Sequence, residues 1–573
     1  MTDLLSHLAY LYGADQAPQL LERLQGIIAD YRMRIPSSTG ELTQRDSILI
    51  TYGDQVKVAG ERPLQTLGRF CNQHLNGVVS GIHILPFYPW TSDDGFSVVD
   101  YRTVEPALGD WEDITRMQDG FRLMFDAVIN HVSVQHEWFQ AFLRDDPHYR
   151  DYFIVVDGNP DLSQVVRPRA LPLLTKFETP SGPRQVWTTF SADQVDLNFQ
   201  NPDVLLKIVD TLLFYVAQGA QLIRLDAIAY LWKETGTACI HLPQTHRIIR
   251  LFRAVLDDLA PHVLLVTETN VPHLDNISYF GDGRDEAQMV YNFALPPLVL
   301  HTFYTGNSRI LSEWAAGLKL PSRHTTFFNF LASHDGIGVN PARGILSEME
   351  IDAMVERVVQ HGGLVSYKND ANGAQIPYEL NINYFDALSN PRGEEPIGAQ
   401  VDRFMTAQAI MLALVGVPGI YFHSLFGSRS WHEGVDLTGR NRTINRQKID
   451  LSMLESDLAD ESSLRHQVFH RYSQLLRALR ESSAFDPHGG QQVLDGREAV
   501  FVLLRFSPDG SERVLCLHNI SDQTQRVNLE SKEIFGLFAG TLIDLITDHR
   551  MDDLLNDIVA LQPYQTLWLR IKG

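Results

Sequence analysis

Three acidic residues stand at the ends of apolar runs: Asp226 in QLIRLDAI, Glu268 in VLLVTET and Asp335 in TFFNFLASHD. Acids that converge repel one another and are costly to bury, so a chain that gathers them has a chemical use for them. Glycosidic bond chemistry suits such a trio. One carboxylate attacks the anomeric carbon, a protonated one assists the leaving oxygen, and nearby negative charge steadies an oxocarbenium-like transition state. Arg224 lies two residues before Asp226, on the same face of a strand, where it would keep the acid ionised and oriented. Taken singly, an Arg-x-Asp is more often a scaffold ion pair, and a lone acid a cap or a solvated loop residue. The three acids at matching positions carry the reading.

Matching positions require elements that hold them. Short apolar runs recur as ILITYGD (48–54), GIHILPF (81–87), RLMFDAVINH (122–131), QLIRLDAI (221–228), VLLVTET (263–269), MVYNFAL (289–295), TFFNFLASHD (326–335) and VPGIYFHSLFG (417–427), with helix-like stretches between them. Continuous apolar strands alternating with helices are parallel strands buried on both faces, and eight of them predict an α/β chain built on a closed (β/α)8 TIM barrel. Polar residues cluster at the C-terminal ends of the runs, which is the catalytic rim of such a barrel. The barrel is expected from 1–131, 201–335 and 401–485. Two intervals are too long for plain connections: 132–200 after the third strand and 336–400 after the seventh are expected as inserted subdomains over the same rim. After the helix-like HQVFHRYSQLLRALRES the pattern becomes short alternating strands, so 486–573 is expected as a C-terminal β-domain.

The chain has 573 residues, 44% of them hydrophobic, with a net charge of -22. That charge argues against nucleic acid or an anionic membrane as partner, since both need a broad basic surface. Cys71, Cys239 and Cys516 show no metal-ligand spacing and are odd in number, so neither a zinc site nor a disulfide framework is expected and a cytoplasmic setting fits. MTDLLSHLAYLYGADQ reads as an amphipathic helix without the features of a signal peptide. No calcium-loop or histidine-cluster pattern is present, and no metal or cofactor is expected.

The segments DAVINH, IRLDAIAY, LLVTETN and FLASHD closely resemble, in order and spacing, four signature regions of the α-amylase superfamily, and QVDLNF (194–199) resembles an additional one. The resemblance implies a retaining, two-step mechanism with Asp226 as nucleophile, Glu268 as general acid/base and Asp335 as transition-state stabiliser. Asp126, Asn130, His131, Arg224 and His334 would line the sugar pocket. Within the superfamily the chain is most similar to the sucrose phosphorylase-like group. SDDGFSVVDY (92–101) is similar to the stretch that holds the glucosyl unit there, which implies Asp93 and Phe96 as glucose contacts, and GRNRTINRQK (439–448) implies Arg446 as another. IAYLWKETGTAC brings Tyr230, VVRPRALP brings Arg169, and PYELNINYFDAL brings Tyr378 and Glu379 to the phosphate and acceptor side. The loop around 370–385 is expected to move between ligands.

A phosphorolytic site must admit a dianion beside its acids. Like charges about 6 Å apart repel by roughly 3 kcal/mol at an effective dielectric near 20, so guanidinium groups must offset the repulsion. Arg169, Arg440 and Arg442 are the candidates. The expected partners are therefore a small α-glucoside and inorganic phosphate, and a homodimer is left open. Two positions depart from the sucrose-cleaving members: Asn270 stands where they have a histidine, and Glu379 where they have a glutamine. With the cations of GRNRTINR, these departures favour a small anionic acceptor. Glycerate is expected, ahead of fructose 6-phosphate, fructose or glycerol; hydrolysis or transglucosylation on the same scaffold is the alternative.

Overall fold

A computed structural model describes residues 2–36, 40–369, 374–496, 498–528, 542–551 and 558–571. All eight apolar runs are strands of one closed barrel: β1 (Ile48–Thr51), β2 (Gly81–Ile84), β3 (Arg122–Ala127), β4 (Ala220–Leu225), β5 (Leu264–Thr267), β6 (Met289–Tyr291), β7 (Thr326–Asn329) and β8 (Val417–Tyr421). Each pairs in parallel with its neighbours, and β1 closes the ring by pairing with both β2 and β8. The strands are buried almost throughout because helices cover the outer face and side chains fill the inside. The first residues form the expected helix, Thr2–Tyr12, and Tyr12 Oη donates to Phe199 O at 2.9 Å.

Register explains why polar groups meet at the rim. The β3–β4 ladder sets Asp126 opposite Arg224, and the β4–β5 ladder continues past the strands through Glu268 N–H donating to Leu225 O at 3.1 Å. Asp226 N–H donates to Ala127 O at 3.2 Å. Adjacent parallel strands thus deliver Asp126, Arg224, Asp226 and Glu268 to one spot.

Two long connections cover that spot. Between β3 and β4, His131–Ser133 pairs with Gln194–Asp196, and the hairpin Leu174–Thr179/Gly182–Trp187 projects between them. Between β7 and β8, Gln375–Asn381 is the central strand of a three-stranded sheet, flanked by Ile337–Gly338 and Leu364–Asn369. This differs from the loop expected around 370–385. Residues 370–373 lie outside the described residues, but from Gln375 the chain is paired with Leu364–Asn369, and at Glu379 and Leu380 with Ile337–Gly338 as well. Loop-forming residues nearby had masked a stretch, QIPYELN, that is compatible with a strand. Strands from Gly490 to Ile571 build a six-stranded antiparallel sheet with its own apolar core. Buried Arg505 ties this sheet to the barrel by donating to Ala413 O at 2.7 Å.

The barrel interior leaves little spare volume. A Cβ at Gly419 of β8 would lie 2.5 Å from two ring carbons of Phe328. Gly419→Ala is expected to destabilise the protein by about 1–3 kcal/mol through overpacking, measurable as a lower denaturant midpoint with unchanged slope.

Candidate active site

Arg224 is the centre of the site. Its guanidinium is 2% exposed; Nη1 donates to Asp126 and, at 2.7 Å, to Asp226 Oδ1, while Nη2 lies 3.8 Å from Glu268 Oε1. Behind it, His83 Nε2 donates to the second oxygen of Asp126 at 2.6 Å. Burial works against the Arg224 charge, but Asp126 and Asp226 more than offset it and raise its pKa. Ala227, the residue after Asp226, adopts the left-handed conformation with φ 48° and ψ 33°. A non-glycine residue there stores strain. The bend aims its N–H at Glu268 Oε2, 3.0 Å away.

Burial pushes the Asp226 carboxyl upward against Arg224, with Glu268 adding to the rise; burial likewise raises Glu268, with Arg224 opposing. Two such acids titrate as a pair that holds one proton between them. The proton belongs on Glu268, because Arg224 hydrogen-bonds Asp226 directly and stands further from Glu268. An acid pair that shares one proton in this way can offer one carboxylate and one proton donor. Asp335 behaves differently. Burial opposes its ionisation, but Arg442 at 2.5 Å, His334 at 3.5 Å and Arg446 at 3.6 Å hold it well below the usual carboxylate range.

The opposite wall comes from the turn after β2. Asp93 and Asp94 have φ of 54° and 50°, and Gly95 follows at 113°, where a Cβ would lie 2.4 Å from Pro86 O. Only glycine fits that close approach. Thr91 and Ser97 donate to Asp193 of the first insertion at 2.6 and 2.8 Å, which fixes the turn. Phe96 then stacks on His334, with centroids 4.8 Å apart and planes 6° from parallel, and its carbonyl accepts from His131 and Gln194, both at 2.9 Å. Asp93 meets Arg169 at 2.9 Å and Arg446 at 3.8 Å; burial opposes its charge, yet these cations and Arg442 keep it ionised.

Below His131 lies a buried ion pair. Lys233 Nζ sits 2.6 Å from Asp196 Oδ2 and donates to Asn130 Oδ1 at 2.7 Å, while Asn130 Nδ2 donates to Asp196 and to His131 Nδ1. The ammonium supplies the positive charge these oxygens need. Among the described residues, no group of three or more His, Cys, Asp or Glu side chains is arranged to hold a metal ion.

On the outer side, Tyr230, Asn270, Tyr378, Arg169 and Phe190 complete the pocket wall with Arg442. Arg169 lies over the Phe190 ring, its Cζ 5.7 Å from the centroid, and Tyr230 meets that ring edge-on at 5.6 Å. Residues 75–335 match the family described as "Alpha amylase, catalytic domain". A glucosylglycerate phosphorylase of Spirochaeta thermophila is 52% identical over 98% of this chain and 97% of its own, and one from Escherichia coli is 46% identical over 94% and 95%. The chain belongs to the sucrose phosphorylase-like group of the α-amylase superfamily. The crystal structure of sucrose 6F-phosphate phosphorylase from Thermoanaerobacter thermosaccharolyticum superposes with a TM-score of 0.73 at 26% identity, covering 84% of this chain and 94% of that one.

Within this group's scaffold the structure gathers the three acids with Asp93, Phe96, His131, His334, Arg169, Tyr230, Asn270, Tyr378 and Arg442 around one pocket. Asp126, Arg224 and Arg446 stand directly behind that lining. Two expected acceptor residues lie elsewhere. Arg440 is exposed, because Gly439 in the left-handed region, φ 66°, ends the preceding helix and turns the chain outward. Glu379 is buried away from the lining and is taken up by Arg442. Sequence reasoning missed His83, Asp94, Phe190 and Lys233. His83 did leave a signal, a histidine within an otherwise apolar strand, whereas Phe190 left none.

The raised Glu268 pKa fixes a pH dependence. The proton must be present to assist a leaving group, so kcat/KM is expected to fall as pH climbs through a value above 4.5, the ordinary glutamate value. Glu268→Gln is expected to abolish that descending limb and to spare only an activated donor such as α-glucosyl fluoride, both read from pH–rate profiles.

Proposed function

We propose that this protein is a retaining glucoside phosphorylase that interconverts 2-O-α-glucosylglycerate and phosphate with α-glucose 1-phosphate and glycerate. The observation that carries the mechanism is the geometry around Arg224, which hydrogen-bonds Asp226 at 2.7 Å and stands 3.8 Å from Glu268, while Arg442, His334 and Arg446 hold Asp335 as a carboxylate; it supports an ionised Asp226 beside a protonated Glu268. The acceptor is supported by the two relatives named glucosylglycerate phosphorylase, each similar along nearly its whole length.

In the first step an Asp226 oxygen attacks the anomeric carbon, the bond to the glycerate oxygen breaks, and Glu268 gives that oxygen its proton. Asp335 offsets the positive charge that develops on the sugar, and Phe96, stacked on His334, presents a flat face to it. In the second step a phosphate oxygen attacks the same carbon, Asp226 leaves as a carboxylate, and Glu268 takes the phosphate proton. Two inversions retain the α configuration. Asp93, backed by Arg446, grips glucose, while Arg169, Tyr230, Asn270 and Tyr378 face the leaving group and then phosphate. Free, buried cysteines fit a cytoplasmic setting, and among the described residues no helix is long and apolar enough to cross a membrane.

Supplying α-glucose 1-phosphate with glycerate, fructose, fructose 6-phosphate or glycerol separately tests the acceptor. Glycerate is expected to win; a tenfold preference for fructose 6-phosphate, about 1.4 kcal/mol in transition-state binding, would reassign it while leaving the phosphorylase mechanism intact. Asp226→Asn is expected to lower kcat by about 10⁴-fold or more, and near-normal turnover would remove the nucleophile role. Arg169→Ala is expected to raise the phosphate KM far more than it slows release of glycerate in the first step; equal losses in both half-reactions would contradict a phosphate role.

A further inference from the structure

Arg442 is the cation that the sequence most readily offers to phosphate, yet its nitrogens are already engaged. Nε and Nη2 donate to the two oxygens of Glu379 at 3.0 and 2.9 Å, and Nη1 lies 2.5 Å from Asp335 Oδ1. One positive charge thus stands between two negative ones. Glu379 is 1% exposed and sits on the central strand of the inserted sheet, opposite Gly338 on one side and Ser366 on the other. A Cβ at Gly336 would lie 2.6 Å from Glu379 Cγ, so the glycine permits this close packing. The bidentate geometry is the strongest that an arginine and a carboxylate form, and a strand paired on both edges cannot release it cheaply.

We infer that Glu379 is a positioning residue that reserves Arg442 for Asp335 and keeps it from acting as a phosphate ligand. Its carboxylate orients the guanidinium edge so that Nη1 addresses the stabilising acid, and its charge cancels the attraction Arg442 would exert on an entering dianion. Phosphate is left to Arg169, which answers to one close carboxylate, Asp93, and reaches the pocket across the Phe190 ring. The arrangement has a kinetic use. An anion lodged beside Asp335 would obstruct the sugar and oppose glucosylation of Asp226, so a site that works in phosphate must deny it that place. This inference rests on the phosphorylase reading for its purpose, although not for the anion affinity it predicts.

The test compares the full-length wild type with Glu379→Gln and Glu379→Asp. The glutamine keeps shape but removes charge, leaving Arg442 attractive to oxyanions. Sulfate is expected to inhibit glucosyl transfer in Glu379→Gln at concentrations at least tenfold lower than in the wild type, and to raise its melting temperature more. Glu379→Asp, which keeps the charge, is expected to retain the wild-type response to sulfate even where its shorter reach lowers kcat. An unchanged sulfate response in Glu379→Gln would overturn the inference. Should that variant not fold, Arg442→Leu decides: a lower rate of glucosylation with an unchanged phosphate KM supports the assignment. A tenfold higher phosphate KM with normal glucosylation would make Arg442 a phosphate ligand and refute it. A wild type that consumes no phosphate with any α-glucoside would instead defeat the phosphorylase reading, and the sulfate-induced thermal shift would still judge the role of Glu379.

Discussion

A guanidinium buried in a ring of carboxylates is the constraint on which the rest of this protein depends. Arg224 touches Asp126 and Asp226 and lies within 4 Å of Glu268. Without it, burial would favour the neutral form of all these acids, because Arg224 is what opposes the desolvation of each. Parallel strands put Arg224 there because each ladder fixes its neighbours in register, so Asp126 and Arg224 meet across β3 and β4. The barrel therefore converts a backbone rule into an electrostatic device. The strained Ala227 finishes it by turning one more N–H toward Glu268.

Around that centre each charge has a stated partner, and the partnerships divide the pocket into regions with different duties. Arg446 joins Asp93 and Asp94 of the turn after β2 to Asp335 beyond β7. Arg169, half-buried, stands over an aromatic face on the outer side, where a cation gains from the ring as well as from its ion pair. Arg442, from the segment after β8, ties the insertion between β7 and β8 to the residues following β7 through Glu379 and Asp335. The chain's net charge of -22 makes such local clusters the means by which an anion can be received at all.

The first insertion is fastened from beneath by a buried lysine. Lys233, Asp196 and Asn130 come from three separate segments, and each satisfies the polar atoms of the others. Burial lowers the Lys233 pKa and Asp196 opposes the fall. The pair is costly to make and more costly to break, since loss of one member strands the other in a medium that cannot solvate it. Through Asn130 it holds His131, and through the His131 bond to Phe96 O it reaches the Phe96–His334 stack.

The sequence determined the barrel and its acids because both are recorded in short-range pattern. Eight apolar runs specify eight buried strands, and the rim follows from where each run turns polar, so Asp226, Glu268, Asp335 and Arg224 were legible by number. The outer pocket was less so. Arg169 and Tyr378 were found through their segments, while Arg440 and Glu379 were expected at the acceptor and stand elsewhere. Adjacent residues in GRNR look equivalent as a string, and only the turn at Gly439 sends Arg440 to solvent while Arg442 points inward. Glu379 likewise reads as one more polar residue after Tyr378, until strand pairing turns alternate side chains to opposite faces and delivers its carboxylate to Arg442. Local periodicity is written along the chain, whereas which charges face each other is decided by segments far apart in sequence that only the folded chain brings together.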